Sequence, residues 1–439
     1  MFDGVRIGEQ KEIVEIVEND RLTGLISRES FENFLGKALA NSNGNITIMF
    51  VDINRFKFIN DAYGFSVGDE VIKKAAERIK ECIGNEGIIA RLYGDDFGIL
   101  LIDSYNNEQI EILANKLVDH FKAPIQINDN LELHVSISVG INRCETSVSN
   151  DVDSTLKNAY LALNFAKDSQ NGEFCYYNSF IDKISQKIIG IGLDMQKAIE
   201  NNEFVLAYQP KVDLSNFTIS GIEGLLRWNH PLYGLIPPSE FIPIAESTKE
   251  IIPIGKWVID EGFKQATKWL ANGINFKRLA LNVSPLQFYS SDFVKFIEEM
   301  LQFHHLDPEF VELEITESVM NNIGKALDII NQLRKLGIKI TLDDFGTGFS
   351  SLNVLNKLPF DCLKIDQTFV RQLFTDKKTG ILTRMIIQMG RELDMELVAE
   401  GIERMDQLTY LRNCNCDVGQ GFYFSKPLFA KDLEAYLQK

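Results

Sequence analysis

The sequence predicts an α/β protein in two parts, a modest α/β domain followed by an irregular (β/α)8 barrel with an antiparallel first strand. Three observations carry this expectation. The 439 residues exceed one small domain and suit a domain of ordinary size plus a barrel. From about residue 20 to 178 strand-like and helical patterns interleave, and from about 202 onward apolar runs alternate with helical segments eight times. The spacer between the first two of those runs, residues 213–218, is too short for a crossover helix, so these two strands should pair antiparallel.

Composition agrees with a folded chain and narrows its partners. With 45% hydrophobic and 24% charged residues it can bury large cores. Lys plus Arg is 45 against 62 Asp plus Glu, a net charge of −17, which argues against sequence-independent binding of duplex nucleic acid and suits divalent cations. No apolar run reaches the roughly 18–20 residues of a membrane span, and the opening MFDGVRIGEQ lacks a signal-peptide core, so a cytoplasmic chain is expected. Six scattered cysteines without a CxxC pair read as reduced, and five dispersed histidines argue against a His/Cys zinc site.

Along the chain, residues 1–19 hold a short amphipathic helix with Ile13, Ile16 and Val17 on one face, either packed on its own domain or coupling to a sensor upstream. The first domain, 20–178, contains strand-like ITIMFVDI and IIARLYGDDFGILLI and helical VIKKAAERIKECI and EQIEILANKLVDHF. Turn residues Tyr93-Gly94-Asp95-Asp96 between two apolar segments predict a hairpin. Residues 179–201 supply a linker and the first helix of the second domain, 202–439. Its strand-like runs are FVLAYQPKV, ISGIEGLLRW, RLALNVS, FVELEIT, IKITLDDFG, CLKID, ELVAEGI and CDVGQGFYF.

Barrels of this kind carry their chemistry at the C-terminal ends of the strands. There the runs deliver Glu223 and Arg227, Asn282, Glu314 with Glu317, Asp343 with Asp344, Lys364 with Asp366, Glu400 with Glu403, and Gln420. Acids meeting at one mouth repel unless cations lie between them, and oxygen ligands without His or Cys favour Mg²⁺ or Mn²⁺. Each residue also has a plainer role: Asp343 or Ser284 suits a helix N-cap, and Lys364 or Arg227 suits a structural ion pair. Acids recurring at the same end of successive strands exceed what capping explains. Two carboxylate-held metals suit in-line hydrolysis of a phosphodiester, and Arg227 suits a phosphate.

These residues resemble a known family. The runs Tyr208-Gln209-Pro210, Glu223-Gly224-Leu225-Leu226-Arg227-Trp228, Asn282-Val283-Ser284, Glu314-Ile315-Thr316-Glu317, Asp343-Asp344-Phe345-Gly346, Lys364-Ile365-Asp366, Ala399-Glu400-Gly401 and Gln420-Gly421 resemble the EAL domain of tandem GGDEF–EAL proteins of bacterial cyclic di-GMP signalling. Gly224 stands where that signature usually has Ala, which implies a more flexible backbone with no ligand lost. The resemblance implies hydrolysis of cyclic di-GMP to linear pGpG with two ions of Mg²⁺ or Mn²⁺. It implies metal ligation by Glu223, Asn282, Glu314 and Asp343, with Asp344, Glu400 and Glu403 completing or supporting the centre. Lys364 would orient the attacking water, Gln209, Arg227 and Gln420 would contact substrate, and Glu317 would steady the loop DDFGTGFSSL, which the family links to a homodimer interface. A non-catalytic cyclic di-GMP receptor is the alternative.

The first domain resembles the nucleotide-cyclase-like GGDEF domain, with an antiparallel-rich central sheet implied, through Asp20-Arg21-Leu22-Thr23-Gly24-Leu25, Asp52, Phe56-Lys57, Asn60-Asp61, Gly64 and Gly68-Asp69. Its signature reads Tyr93-Gly94-Asp95-Asp96-Phe97, with Tyr where the family has Gly, so the Tyr ring is expected to fill the space of close nucleotide approach. Phe65 replaces the usual His, Gln170-Asn171 replaces a Gly-Arg pair, and Gly84-Asn85-Glu86-Gly87 stands where an inhibitory RxxD site would lie. Loss of cyclase activity and of that feedback site is implied. Asn60 and Asp69 on a guanine edge, with Asp52, Asp95 and Lys167 toward phosphates and a cation, imply retained binding of GTP as an effector.

Overall fold

The computed structural model describes residues 18–41, 44–102, 105–145, 151–168, 173–346, 355 and 357–438. The N-terminal helix expected over 9–19 lies almost wholly outside them, as do Gln170-Asn171 and most of the loop after Gly346. The chain divides into two compact units, 1–187 and 188–439, with the division inside the helix Ser179–Ala198.

The first unit is built on a sheet of β1 (Asn45–Ile53), β2 (Ile88–Tyr93), β3 (Asp96–Ile102), β6 (Ile137–Glu145) and β7 (Phe174–Tyr176), with a separate hairpin of β4 (Ile125–Asn128) and β5 (Leu131–Leu133). The sheet order is β2-β3-β1-β6-β7, and every pairing is antiparallel except β6 with β7. β1 is central because both its faces are apolar. Ile46, Ile48 and Phe50 pack with Phe31, Leu35, Ala159 and Leu163, while Met49, Val51 and Ile53 pack with Val71, Ile79, Leu113 and Leu117. Each fully buried side chain of this kind contributes roughly 1.5–3 kcal/mol. Asp52, last on the first face, is carried by that alternation toward the helix Val152–Asp168. The β2–β3 hairpin turns at Gly94-Asp95, as the sequence predicts, and β6 with the short β4, β5 and β7 adds to the strands expected there.

The second unit closes into a barrel of β8 (Phe204–Asp213), β9 (Ile219–His230), β11 (Leu279–Val283), β12 (Val311–Thr316), β13 (Lys339–Phe345), β14 (Cys362–Ile365), β15 (Glu396–Ala399) and β16 (Val418–Gly419). β8 is antiparallel to both β9 and β16, and the pairings from β9 through β16 are parallel. Two details depart from the sequence reading. β10 (Gly234–Ile236) extends β9 as a hairpin past His230, and the last run is a strand only at Val418–Gly419, beyond which the Gln420 carbonyl accepts from Ile402 N and the Ile402 carbonyl accepts from Tyr423 N.

Outside the barrel wall, Ile222, Trp228, Leu281 and Leu313 pack under helices including Ile251–Ala271 and Ile323–Leu336. Trp228 is fully buried, and its indole N–H donates to Glu203 Oε2 at 2.9 Å. The other face of β9 carries Glu223 and Arg227 inward, two pleats apart. Among the described residues no helix is long and apolar enough to cross a membrane.

Candidate active site

The barrel wall brings sequence-predicted residues of six strands, β8, β9, β11, β12, β13 and β14, into one cluster with Glu400 and Gln420 just past β15 and β16. Glu223 of β9 lies opposite Gln209 of β8, and Glu314 of β12 lies beside Asn282 of β11. Lys364 of β14 is at the centre with 1% of its side chain exposed. Its ammonium is 2.7 Å from Glu314 Oε2, 2.6 Å from Glu400 Oε1, 3.2 Å from Asp343 Oδ2 and 3.6 Å from Glu223 Oε1. Asn282 donates to Glu223 Oε1 at 2.8 Å, and Gln420 donates to Glu223 Oε2 at 2.7 Å and to Gln209 Oε1 at 3.0 Å. Gln209 in turn donates to the Ser425 carbonyl at 2.9 Å, so both glutamines hold Glu223 at the floor.

Burial and mutual repulsion shape the ionisation of this cluster. Burial pushes Glu400 up to about 8 against the pull of Lys364, and burial with the Glu314 charge pushes Glu223 up to about 7. Asp343 is raised to about 6 and Asp344 is raised, in both cases first by burial. Glu314 goes the other way: burial opposes its charge, yet Lys211 and Lys364 bind it closely enough to hold it at about 2. The Lys364 ammonium is likewise disfavoured by burial, and the surrounding carboxylates more than reverse this.

Asp343, Asp344 and Glu400 present one oxygen each within 4.8 Å of one another. The donor set is all oxygen, which fits a hard divalent cation, and burial raises all three carboxyls, so a cation that replaces their protons would relieve that cost. Asp344 reaches this position with a left-handed backbone, φ 54°, while its N–H donates to Asp343 Oδ1 at 2.8 Å. Ser284 has the plainer role, capping the turn Pro285–Phe288 by accepting from Gln287 N.

Three residues stand apart. Glu403 is exposed enough to face Arg371, 3.6 Å away. Arg227 is half-buried beyond Glu223 and donates to the Leu226 carbonyl, and Glu317 opens the 3-10 turn Glu317–Asn322. The sequence reading missed Lys211, which binds Glu312 at 2.8 Å and Glu314 at 2.6 Å with 4% of its side chain exposed. A lysine two residues after Gln209 inside an apolar strand, and a glutamate two before Glu314, are the signal by which alternation could have found it.

In the first unit Asp52 and Asp96 face each other across β1 and β3, and Lys167 closes on Asp52 at 2.6 Å. Burial and the hydrogen bond to Asp52 push Asp96 up to about 7, and burial raises Asp95. Asp52 and Lys167 line a cleft of about 1080 Å³ with Arg55, Lys122 and His134. Asn60 packs its amide against Gly68, where a Cβ would fall 2.0 Å from Asn60 Oδ1, and Asp69 follows on the exposed side of the same helix. Tyr93 ends β2 at the hairpin, where it is 62% exposed and lies under the Arg28 guanidinium at 4.1 Å, outside the lining of this cleft.

Comparison with known families matches residues 193–427 to the EAL domain and residues 17–173 to the diguanylate cyclase, GGDEF domain. The chain belongs to the tandem GGDEF–EAL proteins. It is 37% identical over 433 residues to the signaling protein YkoW of Bacillus subtilis, covering 98% of this chain and 54% of that protein. It is 36% identical over 429 residues to the bifunctional diguanylate cyclase/cyclic di-GMP phosphodiesterase MucR of Pseudomonas aeruginosa, covering 97% and 62%. The chain therefore spans between half and two thirds of the length of these relatives. A solved PaMucR phosphodiesterase in complex with c-di-GMP aligns at TM-score 0.54 and 40% identity over 56% of this chain and 99% of that one.

Within the EAL domain, the Gly224 of its signature has a packing partner that sequence alone does not show. A Cβ there would fall 2.7 Å from Leu281 Cδ2, so the Leu281 side chain occupies the room of the missing methyl. The wall remains filled beside Glu223.

Proposed function

We propose that the EAL domain hydrolyses cyclic di-GMP to linear pGpG with two divalent cations, Mg²⁺ or Mn²⁺, and that a cyclase-inactive GGDEF domain binds GTP and regulates it. The observation that carries the hydrolytic reading is Lys364 surrounded by carboxylates from β9, β12 and β13 and from the end of β15. The activity named for MucR and the c-di-GMP complex of the PaMucR phosphodiesterase support the same substrate.

Asp343, Asp344 and Glu400 would hold one cation, with Glu223, Asn282 and Glu314 as ligands toward a second and Glu403 in support. Bound cations supply positive charge to the phosphodiester oxygens and make a water a stronger nucleophile. Lys364, hydrogen-bonded to Glu400 and Asp343, orients the water whose oxygen bonds to phosphorus as the 3′ oxygen leaves. Glu400, 2.6 Å from the Lys364 ammonium, would accept the water's proton as a carboxylate. Arg227 receives a phosphate at the rim, Gln209 and Gln420 keep Glu223 in place and meet the substrate, and Glu317 steadies the loop after β13. The product is a linear dinucleotide with a 5′ phosphate. The barrel works as a homodimer, in the cytoplasm.

In the GGDEF domain, Asp52, Asp95 and Lys167 would serve phosphates and their cation, and Asn60 and Asp69 the guanine edge. Chromatography of cyclic di-GMP incubated with the chain and Mn²⁺ or Mg²⁺ tests the hydrolytic reading: pGpG that disappears with a chelator supports it. Tight binding without product in either metal replaces it with the receptor reading.

A further inference from the structure

Beneath the carboxylate cluster, the next interior layer of the barrel is charged where such layers are ordinarily apolar. Lys211 lies two residues past Gln209 on the same face of β8, and Glu312 lies two before Glu314 on the same face of β12. Lys211 reaches Glu312 Oε1 at 2.8 Å and Glu314 Oε1 at 2.6 Å, and Thr341 Oγ1 donates to Glu312 Oε1 at 2.8 Å. Glu314, with a side chain wholly buried, thus has one oxygen on each of two lysines, since Lys364 takes Oε2 at 2.7 Å.

We propose that Lys211 is a positioning residue for Lys364: by neutralising Glu314 from below and being anchored by Glu312, it leaves the Lys364 ammonium extended toward Glu400 and Asp343. An ammonium has three donors, and those of Lys364 are spread over Glu314, Glu400 and Asp343 at 2.7, 2.6 and 3.2 Å. Without Lys211, Glu314 is a buried charge with a single counterion, and attraction across a dry interior draws that counterion inward. Lys364 then abandons Glu400 and Asp343, where the hydrolytic reading above needs it. The inference rests on that reading for its effect on rate and on geometry for its effect on position.

The test uses the full chain with Lys211→Met, with Lys211→Met/Glu312→Gln, which removes the pair together and preserves charge balance, and with Glu312→Gln, which keeps Lys211. The double variant is expected to keep a thermal transition near that of the wild type, to lose at least about tenfold in kcat for cyclic di-GMP with KM within about twofold, and to show Lys364 displaced from Glu400 in a crystal structure. Glu312→Gln alone is expected to stay within about threefold in kcat and to leave Lys364 in place. A merely structural lysine would move the thermal transition and leave kcat of the folded enzyme and the Lys364–Glu400 contact as they are, and either of those results in a folded Lys211 variant overturns the proposal. Wild type that binds but never cleaves overturns the hydrolytic reading instead. The crystallographic Lys364–Glu400 distance, in Lys211→Met or in the double variant, then decides this inference by itself.

Discussion

Lys364 and Glu400 meet at 2.6 Å in the barrel interior, although the carboxyl follows a different strand and is itself pushed up to about 8 by burial. The pair joins a lysine that touches four acids to a carboxyl that burial biases toward holding a proton. A single-charge change at either end should therefore alter chemistry more than substrate affinity. Glu400→Gln should lower kcat at least about 10²-fold with little change in KM, read from initial rates over a substrate series.

The same cluster makes stability depend on pH in a direction opposite to ordinary surface carboxylates. Glu223, Asp343 and Glu400, at about 7, 6 and 8, still hold protons in the folded barrel where the unfolded chain has released them. Stability of the chelator-treated protein therefore falls as pH rises from about 5 to 8, by about 1 kcal/mol or more, in urea or thermal denaturation. Added Mn²⁺ should reverse the trend, because a cation replaces those protons. Glu314, held at about 2 through its two lysines, adds stability present above the ordinary carboxylate range and lost only as pH falls toward 2.

Much of this was legible in the sequence for a physical reason: strand alternation fixes which residues face inward, so Glu223, Glu314, Asp343 and Lys364 could be placed from spacing, and the short link after β8 fixed its antiparallel pairing. What stayed hidden depends on partners far along the chain. Lys211 reads as a stray charge until Glu312 and Glu314, about a hundred residues on, come opposite it. The sequence shows Tyr93 at the hairpin but not its partner Arg28, 65 residues earlier, whose guanidinium lies on its ring. Gly421 likewise reveals its reason only in the fold, lying so close to the Ile402 backbone that a Cβ would fall 2.1 Å from its carbonyl oxygen.

That contact yields a stability prediction. Gly421→Ala should cost about 1–3 kcal/mol and loosen Gln420 from Glu223, measured as a lower thermal transition of the barrel with reduced kcat. Gly224→Ala should be tolerated within about 1.5 kcal/mol, since only the end of the Leu281 side chain needs to yield.

For the GGDEF domain, a Glu223→Ala chain incubated with GTP and Mg²⁺ should form no cyclic di-GMP. Tyr93→Gly should not restore synthesis, because Asp96 remains a shortened carboxyl hydrogen-bonded to Asp52. Dinucleotide formed from GTP by the Glu223→Ala chain would refute this.

GTP should change the rate of cyclic di-GMP hydrolysis by about fivefold or more, and Asn60→Ala or Asp69→Ala should remove the response without altering the basal rate. Binding alone is insufficient, since an effector shifts activity only by preferring one state of the barrel. Equal rates with and without saturating GTP would reject regulation, and calorimetry without heat of binding would reject the site.

The central claim is that the Lys364–carboxylate cluster performs the hydrolysis. Its most direct test is single-turnover conversion of bound cyclic di-GMP, followed by chromatography in Mn²⁺, for the wild type and for Lys364→Met. Wild type should yield pGpG while Lys364→Met binds the dinucleotide and converts it at least about 10²-fold more slowly. Equal conversion rates in the two proteins would contradict the account.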